Sequence, residues 1–251
     1  MKILHGAMLI LLIAFLFSAV PGIPEKIKKA DLSVLWYNNH THNSETGLDN
    51  YMFHEPLGFI GNQYERFYIH YSSIQKSKTN AIQYQVQGKS RVRSTICPFT
   101  GTITITKVQE VKLEDGSDYP VNKLYKLSCQ IDFNESRTHA HTGTFKGTMT
   151  SYCYFDQNGI PQLASESFGD GENFNQTKTF WSSYTKKLKK KCHWGIYRIP
   201  DCGDLDSGAG EFSVNDKYLK NGWANYREAL RIANENPQDP AVKEFNRRWW
   251  D

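Results

Sequence analysis

The chain has 251 residues, with 30 lysines and arginines against 26 aspartates and glutamates. This length can bury one sizeable core and fits one large β domain or two small ones. The slight basic excess argues against a dedicated nucleic-acid-binding protein, which needs a strongly basic surface. The five cysteines are too few for a disulfide scaffold, and their odd number leaves at least one thiol outside any intramolecular pair.

Residues 1–22 have the organisation of a secretory signal peptide. Lys2 supplies a positive start, Ala7–Phe17 is almost wholly apolar, and small residues with a proline follow at Ser18–Gly22. We expect cleavage after Gly22 and therefore a secreted or periplasmic mature protein. The apolar run is shorter than the roughly 18 to 20 residues of a spanning helix, so no membrane span is expected after cleavage. The alternative is an uncleaved anchor, for which the lysines that follow would be a positive-inside flank.

The middle of the chain, from Arg66 to about Tyr184, alternates apolar and polar residues with the period of half-buried strands. The clearest stripe is Tyr125, Leu127, Cys129, Ile131 and Phe133. Turn-forming residues interrupt the pattern at 78–80, 115–118, 158–159 and 170–171. Strands this close in sequence pair antiparallel, because parallel neighbours need long crossovers. We therefore predict a mainly β fold, an antiparallel meander of roughly six to nine strands closed into a barrel or folded as a sandwich.

The last part of the chain has a helical period. Apolar residues recur at spacings of three and four over 222–234, which predicts an amphipathic helix that ends before Pro237. A second short helix is predicted over 241–250. We expect the aromatic residues of these segments to pack them onto the sheet. The predicted organisation is a signal peptide at 1–22, an antiparallel β domain at 23–214 and a C-terminal helical segment at 215–251.

The cysteines suggest one disulfide. Cys192 and Cys202 flank a loop that contains glycine and proline, and in an oxidising compartment a bond between them would contribute roughly 2 to 3 kcal/mol. The other three cysteines are interpreted as buried core thiols, with their pairing left open: Cys97, Cys129 and Cys153.

Two polar clusters are candidate chemical sites. His40 and His42 point the same way in an extended chain and could offer two imidazoles to zinc or copper, but surface histidines in a loop are the favoured interpretation. Asp204, Asp206 and Glu211 could hold calcium or serve as the acid and base of a hydrolase, although a solvated glycine-rich turn is favoured. No phosphate-binding loop is complete. We therefore expect no metal and no cofactor.

Five lysines fall within six residues, beside Trp181 and Tyr184. Such a run could meet lipid head groups, polysaccharide or nucleic acid. A solvated turn or a protected strand edge is the favoured interpretation. The residues are Lys186, Lys187, Lys189, Lys190 and Lys191.

Four short segments resemble parts of uncharacterised bacterial secreted proteins, and the resemblance implies no activity. They are Cys192–Gly195, Arg198–Pro200, Leu205–Asp206 and Gly208–Phe212. The strand meander with a C-terminal helix is also similar in outline to lipocalin-like barrels. The Gly-x-Trp motif of lipocalins is absent, because Val34 stands where the glycine would precede Trp36. The second resemblance therefore concerns architecture only.

The leading functional hypothesis is a non-enzymatic binding module whose barrel mouth or sheet face takes a small apolar or carbohydrate ligand. The proposed ligand-binding residues are Trp181, Trp194, Tyr197 and Arg198, because aromatic rings offer stacking area and arginine can orient a polar group. One alternative is a carboxylate- or metal-dependent hydrolase using the carboxylates named above. Another is a structural or surface-interaction protein. The oligomeric state is not predicted.

Overall fold

The computed structural model describes residues 22–37, 55–114, 120–164, 174–208, 212–236 and 248–251, with backbone alone at 41–43, 48–50 and 233–234. The predicted signal peptide, except Gly22, lies outside the described residues, as do the predicted turns at 115–118 and 170–171. The strands are β1 Thr41–Asn43, β2 Leu48–Asn50, β3 Leu57–Ile60, β4 Glu65–Lys76, β5 Gln83–Val92, β6 Thr95–Lys112, β7 Lys123–Glu135, β8 Gly143–Phe155, β9 Pro161–Leu163, β10 Gln176–Ser183 and β11 Lys189–Gly195. The helices are α1 Glu25–Lys29 and α2 Ala224–Glu235, with 3-10 turns at Ser33–Leu35, Gly203–Leu205 and Asp216–Asn221.

Eight antiparallel strands form a closed ring. The order is β3, β4, β5, β6, β7, β8, β10 and β11, and β11 pairs back onto β3. The closing seam is four residue pairs long, from Cys192 opposite Ile60 to Gly195 opposite Leu57. The short strand β9 extends the sheet beside β8, and β1 and β2 form a separate pair. The predicted antiparallel β fold is confirmed, and the ring makes it an up-and-down barrel.

The alternating stripes become the inner wall of this barrel. The five residues of the β7 stripe, from Tyr125 to Phe133, are all buried in one cluster. The predicted turns at 78–80 and 158–159 connect β4 to β5 and β8 to β9. A side-chain period of two places every second residue inside a closed sheet, which is why periodicity identified these strands.

The segment 23–36 closes the end of the barrel at which β4 and β8 finish. Its Trp36 Nε1 donates to Ser151 Oγ on β8 at 2.8 Å, and Asn175 Nδ2 donates to the Leu35 carbonyl at 2.6 Å. Ser151 in turn donates to Asn175 Oδ1 at 2.7 Å, so the two hydrogen bonds that join this segment to the barrel belong to one network. Its buried residues are Ile27, Leu32, Leu35 and Trp36.

The C-terminal helix is confirmed as α2, and it packs on the outside of the barrel. Trp223 and Tyr226 are buried in a second cluster that contains Phe59 of β3, and Trp223 Nε1 donates to the Tyr64 carbonyl at 2.8 Å. The guanidinium of Arg66 lies 5.2 Å and 4.8 Å from the Trp223 and Tyr226 rings. The expected packing role of these aromatic residues is therefore confirmed. Most of the predicted second helix lies outside the described residues, and 249–250 form a turn.

Close strand approach requires glycine on β8. A β-carbon added at Gly147 would lie 2.1 Å from the Lys178 carbonyl oxygen on β10, far inside van der Waals contact. Both positions belong to strands that are paired along their lengths, so the backbone has little room to move. Small barrels bend sharply, and glycine at such places lets adjacent strands approach.

We expect Gly147→Ala to lower the free energy of unfolding by about 1 to 3 kcal/mol, because the new methyl group overpacks a fixed backbone. Urea unfolding followed by far-UV circular dichroism measures the change. The control is Thr148→Ala, next in sequence and exposed on the outer wall, with an expected change within about 0.5 kcal/mol. Equal effects of the two substitutions would contradict the close approach of β8 and β10.

Candidate functional site

Trp194 lies at the centre of the barrel interior, and not in an open pocket. Its Nε1 donates to the Tyr71 hydroxyl at 3.0 Å, and its ring contacts Phe67 and Phe145 at centroid distances of 5.6 and 6.1 Å. Both partners are buried core residues. The side chain thus fills the space that a lipocalin-like cavity would occupy.

Trp181 lies at the barrel end opposite the N-terminal segment, held by a buried carboxylate. Its Nε1 donates to Glu135 Oε2 at 2.9 Å. Glu135 also accepts from Ser90 Oγ at 2.5 Å and from the Gly143 amide at 2.8 Å. Burial raises the pKa of Glu135 despite these three bonds, because desolvation disfavours the charged form. No sequence pattern indicates this network, since an acidic residue at a strand end is usually exposed.

Glu135 should make stability depend on pH. Its raised pKa means that the folded protein binds a proton more tightly than the unfolded chain, so its contribution is present below the ordinary value of 4.5 and is lost as pH rises through the raised pKa. We expect the wild-type free energy of unfolding to fall relative to Glu135→Gln from about pH 4 upwards, by at most about 1.4 kcal/mol per pH unit. Urea titrations at several pH values measure it. The exposed Glu110→Gln variant should run parallel to wild type, and a pH-independent difference for Glu135→Gln would contradict the assignment.

Tyr197 and Arg198 lie in the loop after β11, away from the two tryptophans. Tyr197 is 45% exposed, has a φ of 61°, and meets the Phe174 ring edge-on at 5.7 Å. Arg198 Nη1 donates to Asp206 Oδ2 at 2.7 Å, in a largely buried ion pair. The four predicted ligand-binding residues are thus divided between the packed interior and an outer loop, and the structure does not bring them together.

The carboxylates considered for catalysis organise that loop. Asp206 accepts from Arg198 and from the amides of Gly208 and Ser213 at 2.9 and 3.0 Å. Asp204 is exposed and accepts from Lys217 Nζ and from the Tyr218 hydroxyl. Its hydrogen bond with Lys217 lowers the pKa of Asp204, whereas a general acid needs a raised one.

The third carboxylate of that set, Glu211, lies outside the described residues. So do His40 and the side chain of His42. Among the side chains that the structure does describe, no group of three histidines, cysteines or carboxylates is placed to hold a metal ion. None of the helices in the described ranges is long and apolar enough to cross a membrane.

The structure does not join the predicted Cys192–Cys202 pair, and both cysteines are free thiols in it. Cys192 belongs to the barrel interior, whereas Cys202 packs against the outer cluster around Phe59. The chain crosses from one side of the sheet to the other between them, which sequence spacing does not reveal. The remaining three cysteines are buried and free, as core thiols. Burial raises the pKa of Cys97 to about 11 and of Cys153 to about 12.

We expect alkylation without reductant to label all five cysteines after denaturation, because none is bonded. In the native protein Cys202 should react first, since it is the only partly exposed thiol and the buried thiols with raised pKa are unreactive at neutral pH. Mass spectrometry of iodoacetamide-treated protein measures both. Three labels in the denatured protein, with Cys192 and Cys202 unlabelled, would restore the disulfide.

A cleft on the outer wall of the barrel joins residues that are distant in sequence. It has a volume of about 400 Å³ and is lined by Tyr37, His70, Ser72, Lys89, Arg248, Trp250 and Asp251. We call it the outer cleft. His70 and Ser72 come from β4, Lys89 from β5, and the last residues of the chain form the opposite wall.

The walls of the outer cleft are held by specific contacts. Trp250 stacks flat on His70, with centroids 4.0 Å apart and planes inclined by 3°. Lys89 Nζ donates to the Trp250 carbonyl, and Arg248 forms an ion pair with Asp251 at 3.0 Å. Sequence reasoning missed this site because its residues form no local motif. The sequence offered one hint of the site. In the alternating patterns of β4 and β5, His70 and Lys89 occupy positions that face outwards.

Comparison with known proteins adds no relative: no protein-family model, no curated protein and no solved structure matches the chain.

Proposed function

We propose that the protein is a ligand-binding module and that the outer cleft binds a carbohydrate. The observation that carries the proposal is the lining of this cleft, in which aromatic surface and hydrogen-bonding groups converge. The barrel interior is a weaker candidate, since aromatic side chains such as Phe67, Phe133 and Trp194 fill it.

The chemistry of the lining favours a sugar over a wholly apolar ligand. Tyr37 offers ring surface to the C–H face of a pyranose, beside the largely buried ring of Trp250. Lys89 and Arg248 can donate hydrogen bonds to the sugar hydroxyl groups, and Asp251 can accept them. An apolar molecule would desolvate these charged groups without offering them partners, at a cost of several kcal/mol. A polyhydroxylated ligand instead restores, through its hydroxyl groups, the hydrogen bonds that the displaced water made to these side chains.

Secretion or a periplasmic location remains part of the proposal. Two observations support it. Residues 1–22 have the pattern of a signal peptide, and the first buried residue of the segment that closes the barrel is Ile27, which lies after the expected cleavage point. Cleavage after Gly22 would keep the described contacts by which residues 23–36 close the barrel end. The intact mass of protein recovered from its own source tests this, with a first residue of Ile23 expected.

A blocking substitution tests the outer cleft. The exposed Ser72→Trp change should fill the cleft without removing an existing contact. In calorimetric titrations with cellohexaose, chitohexaose and maltohexaose, we expect the wild type to bind at least one sugar and Ser72→Trp to bind it at least about tenfold more weakly. Thr79→Trp, in the exposed β4–β5 turn, is the matched control and should bind like wild type.

A second substitution tests the aromatic wall of the outer cleft. Trp250→Ala removes the aromatic wall and should weaken the same titration, whereas Phe180→Ala truncates an exposed aromatic residue elsewhere on the barrel and should not. If no sugar in a panel of neutral and acidic oligosaccharides binds, or if both tryptophan insertions weaken binding equally, the proposal fails.

A further inference from the structure

The topology gathers four connections at one end of the barrel. Because successive strands are antiparallel, the loops 61–64, 93–94, 136–142 and 184–188 all lie where β3, β5, β7 and β10 finish. We call this the basic end. It is opposite the end that the N-terminal segment closes.

The charges of these four loops have one sign. They contain Arg93, Arg137, Lys186 and Lys187, and their sequences contain no aspartate or glutamate. The start of β11 adds the three lysines of 189–191. The nearest carboxylates on the strand ends are engaged: Glu65 pairs with Arg93, and Glu135 is buried in its hydrogen-bond network.

The opposite end carries both signs of charge. Its described connections and the N-terminal segment contain the carboxylates of Glu25, Asp31, Glu114 and Asp156 beside the lysines Lys26, Lys28, Lys29 and Lys78. The charge of the barrel therefore varies along its axis, although the net charge of the whole chain is only +4. A field of this kind orients a protein at a charged surface.

Apolar side chains stand among these lysines. Phe180 is 42% exposed on the outer wall of β10, and Leu188 is 40% exposed in the turn between β10 and β11. The cross-strand neighbours of Phe180 are Lys191 on β11 and Lys146 on β8. Lys189 Nζ lies 4.3 Å from the centre of its ring. Exposed aromatic and aliphatic residues framed by cations make an amphipathic surface.

The turn that carries Leu188 is held in place. Ser183 and Leu188 are joined by a backbone hydrogen bond of 3.0 Å, and the Tyr184 hydroxyl donates to the Glu135 carbonyl at 3.1 Å. Arg137 lies 3.8 Å above the Tyr184 ring. Arg137 of one loop and the lysine-bearing turn of the next are thus held side by side, so ordering this backbone on binding costs little conformational entropy.

We propose that the basic end is a docking surface for an anionic lipid bilayer, to which the protein binds peripherally. Lysine and arginine would meet the anionic head groups, and Phe180 and Leu188 would enter the boundary between head groups and acyl chains. The apolar pair favours a bilayer over a soluble polyanion, which offers charge but no hydrocarbon. This inference uses residues distinct from the outer cleft and does not depend on sugar binding.

Vesicle sedimentation tests the proposal on the full protein, with the same N terminus verified by intact mass in every sample. The probes are vesicles of phosphatidylcholine alone and vesicles that contain a quarter phosphatidylserine, at about 150 mM salt. We expect wild type to bind the anionic vesicles and not the neutral ones. Lys186→Glu with Lys187→Glu should lower the partition coefficient at least about tenfold.

The control makes the same change of charge at the other end. Lys78→Glu with Lys112→Glu alters two exposed lysines near the ends of β4 and β6 and should lower the partition coefficient by less than about threefold. Equal losses for the two double variants would mean that only net charge acts, and would overturn the proposal.

A third variant identifies the partner. Phe180→Ser with Leu188→Ser keeps every charge and should weaken vesicle binding by at least about fivefold while leaving any retention on a heparin column unchanged. The proposal is overturned if wild type binds neutral vesicles equally well, if this variant binds vesicles like wild type, or if wild type binds heparin but not vesicles. Trp250→Ala should bind vesicles normally, which separates this surface from the outer cleft.

Discussion

The fold depends on the seam between β3 and β11. Only four residue pairs close the ring, and Trp194 on β11 stands directly opposite Gly58 on β3. The absent side chain at Gly58 leaves room for the Trp194 β-carbon, which would lie 3.0 Å from an added one. The indole then projects inwards to the Tyr71 hydroxyl and the aromatic core. Closure of the ring and packing of its core are therefore coupled, since the strand that completes the sheet also supplies one of the tryptophans of the interior.

A filled interior moves any binding function to the outside. Aromatic residues occupy the centre of the barrel, the N-terminal segment closes one end, and the Glu135 network lies buried at the other. The outer wall then offers two surfaces of different chemistry. The outer cleft has both signs of charge and aromatic walls, whereas the basic end has a single sign of charge and exposed apolar residues. That difference is the basis for proposing a sugar as the ligand of the outer cleft and an anionic bilayer as the partner of the basic end.

Periodicity predicted the long strands and missed the two that form the seam. β3 has only four residues, and its Phe59 and Ile60 are buried on opposite faces, so no alternation of apolar with polar residues exists to detect. β11 begins with three lysines, so its sequence lacks the apolar pattern of a strand although its second half is buried. The same limitation applies to the predicted disulfide, because the placement of Cys192 inside the barrel and Cys202 outside it follows only once β11 is known to belong to the wall. Of the predicted ligand-binding set, local sequence could identify aromatic residues but not the face of the barrel on which each lies.

The sequence by itself determined the antiparallel β class, the inward stripe of β7, the helix α2 and the buried Trp223 that precedes it. These features follow from side-chain periods of two and 3.6, which are local properties of the backbone. Tertiary structure alone decided the closure of the ring, the occupation of its interior and the assembly of the outer cleft from residues as distant as Tyr37, His70 and Trp250. It also gathered the lysines and two exposed apolar residues at one end. Each of these depends on which strands become neighbours, and register between distant strands is set by packing across the whole barrel.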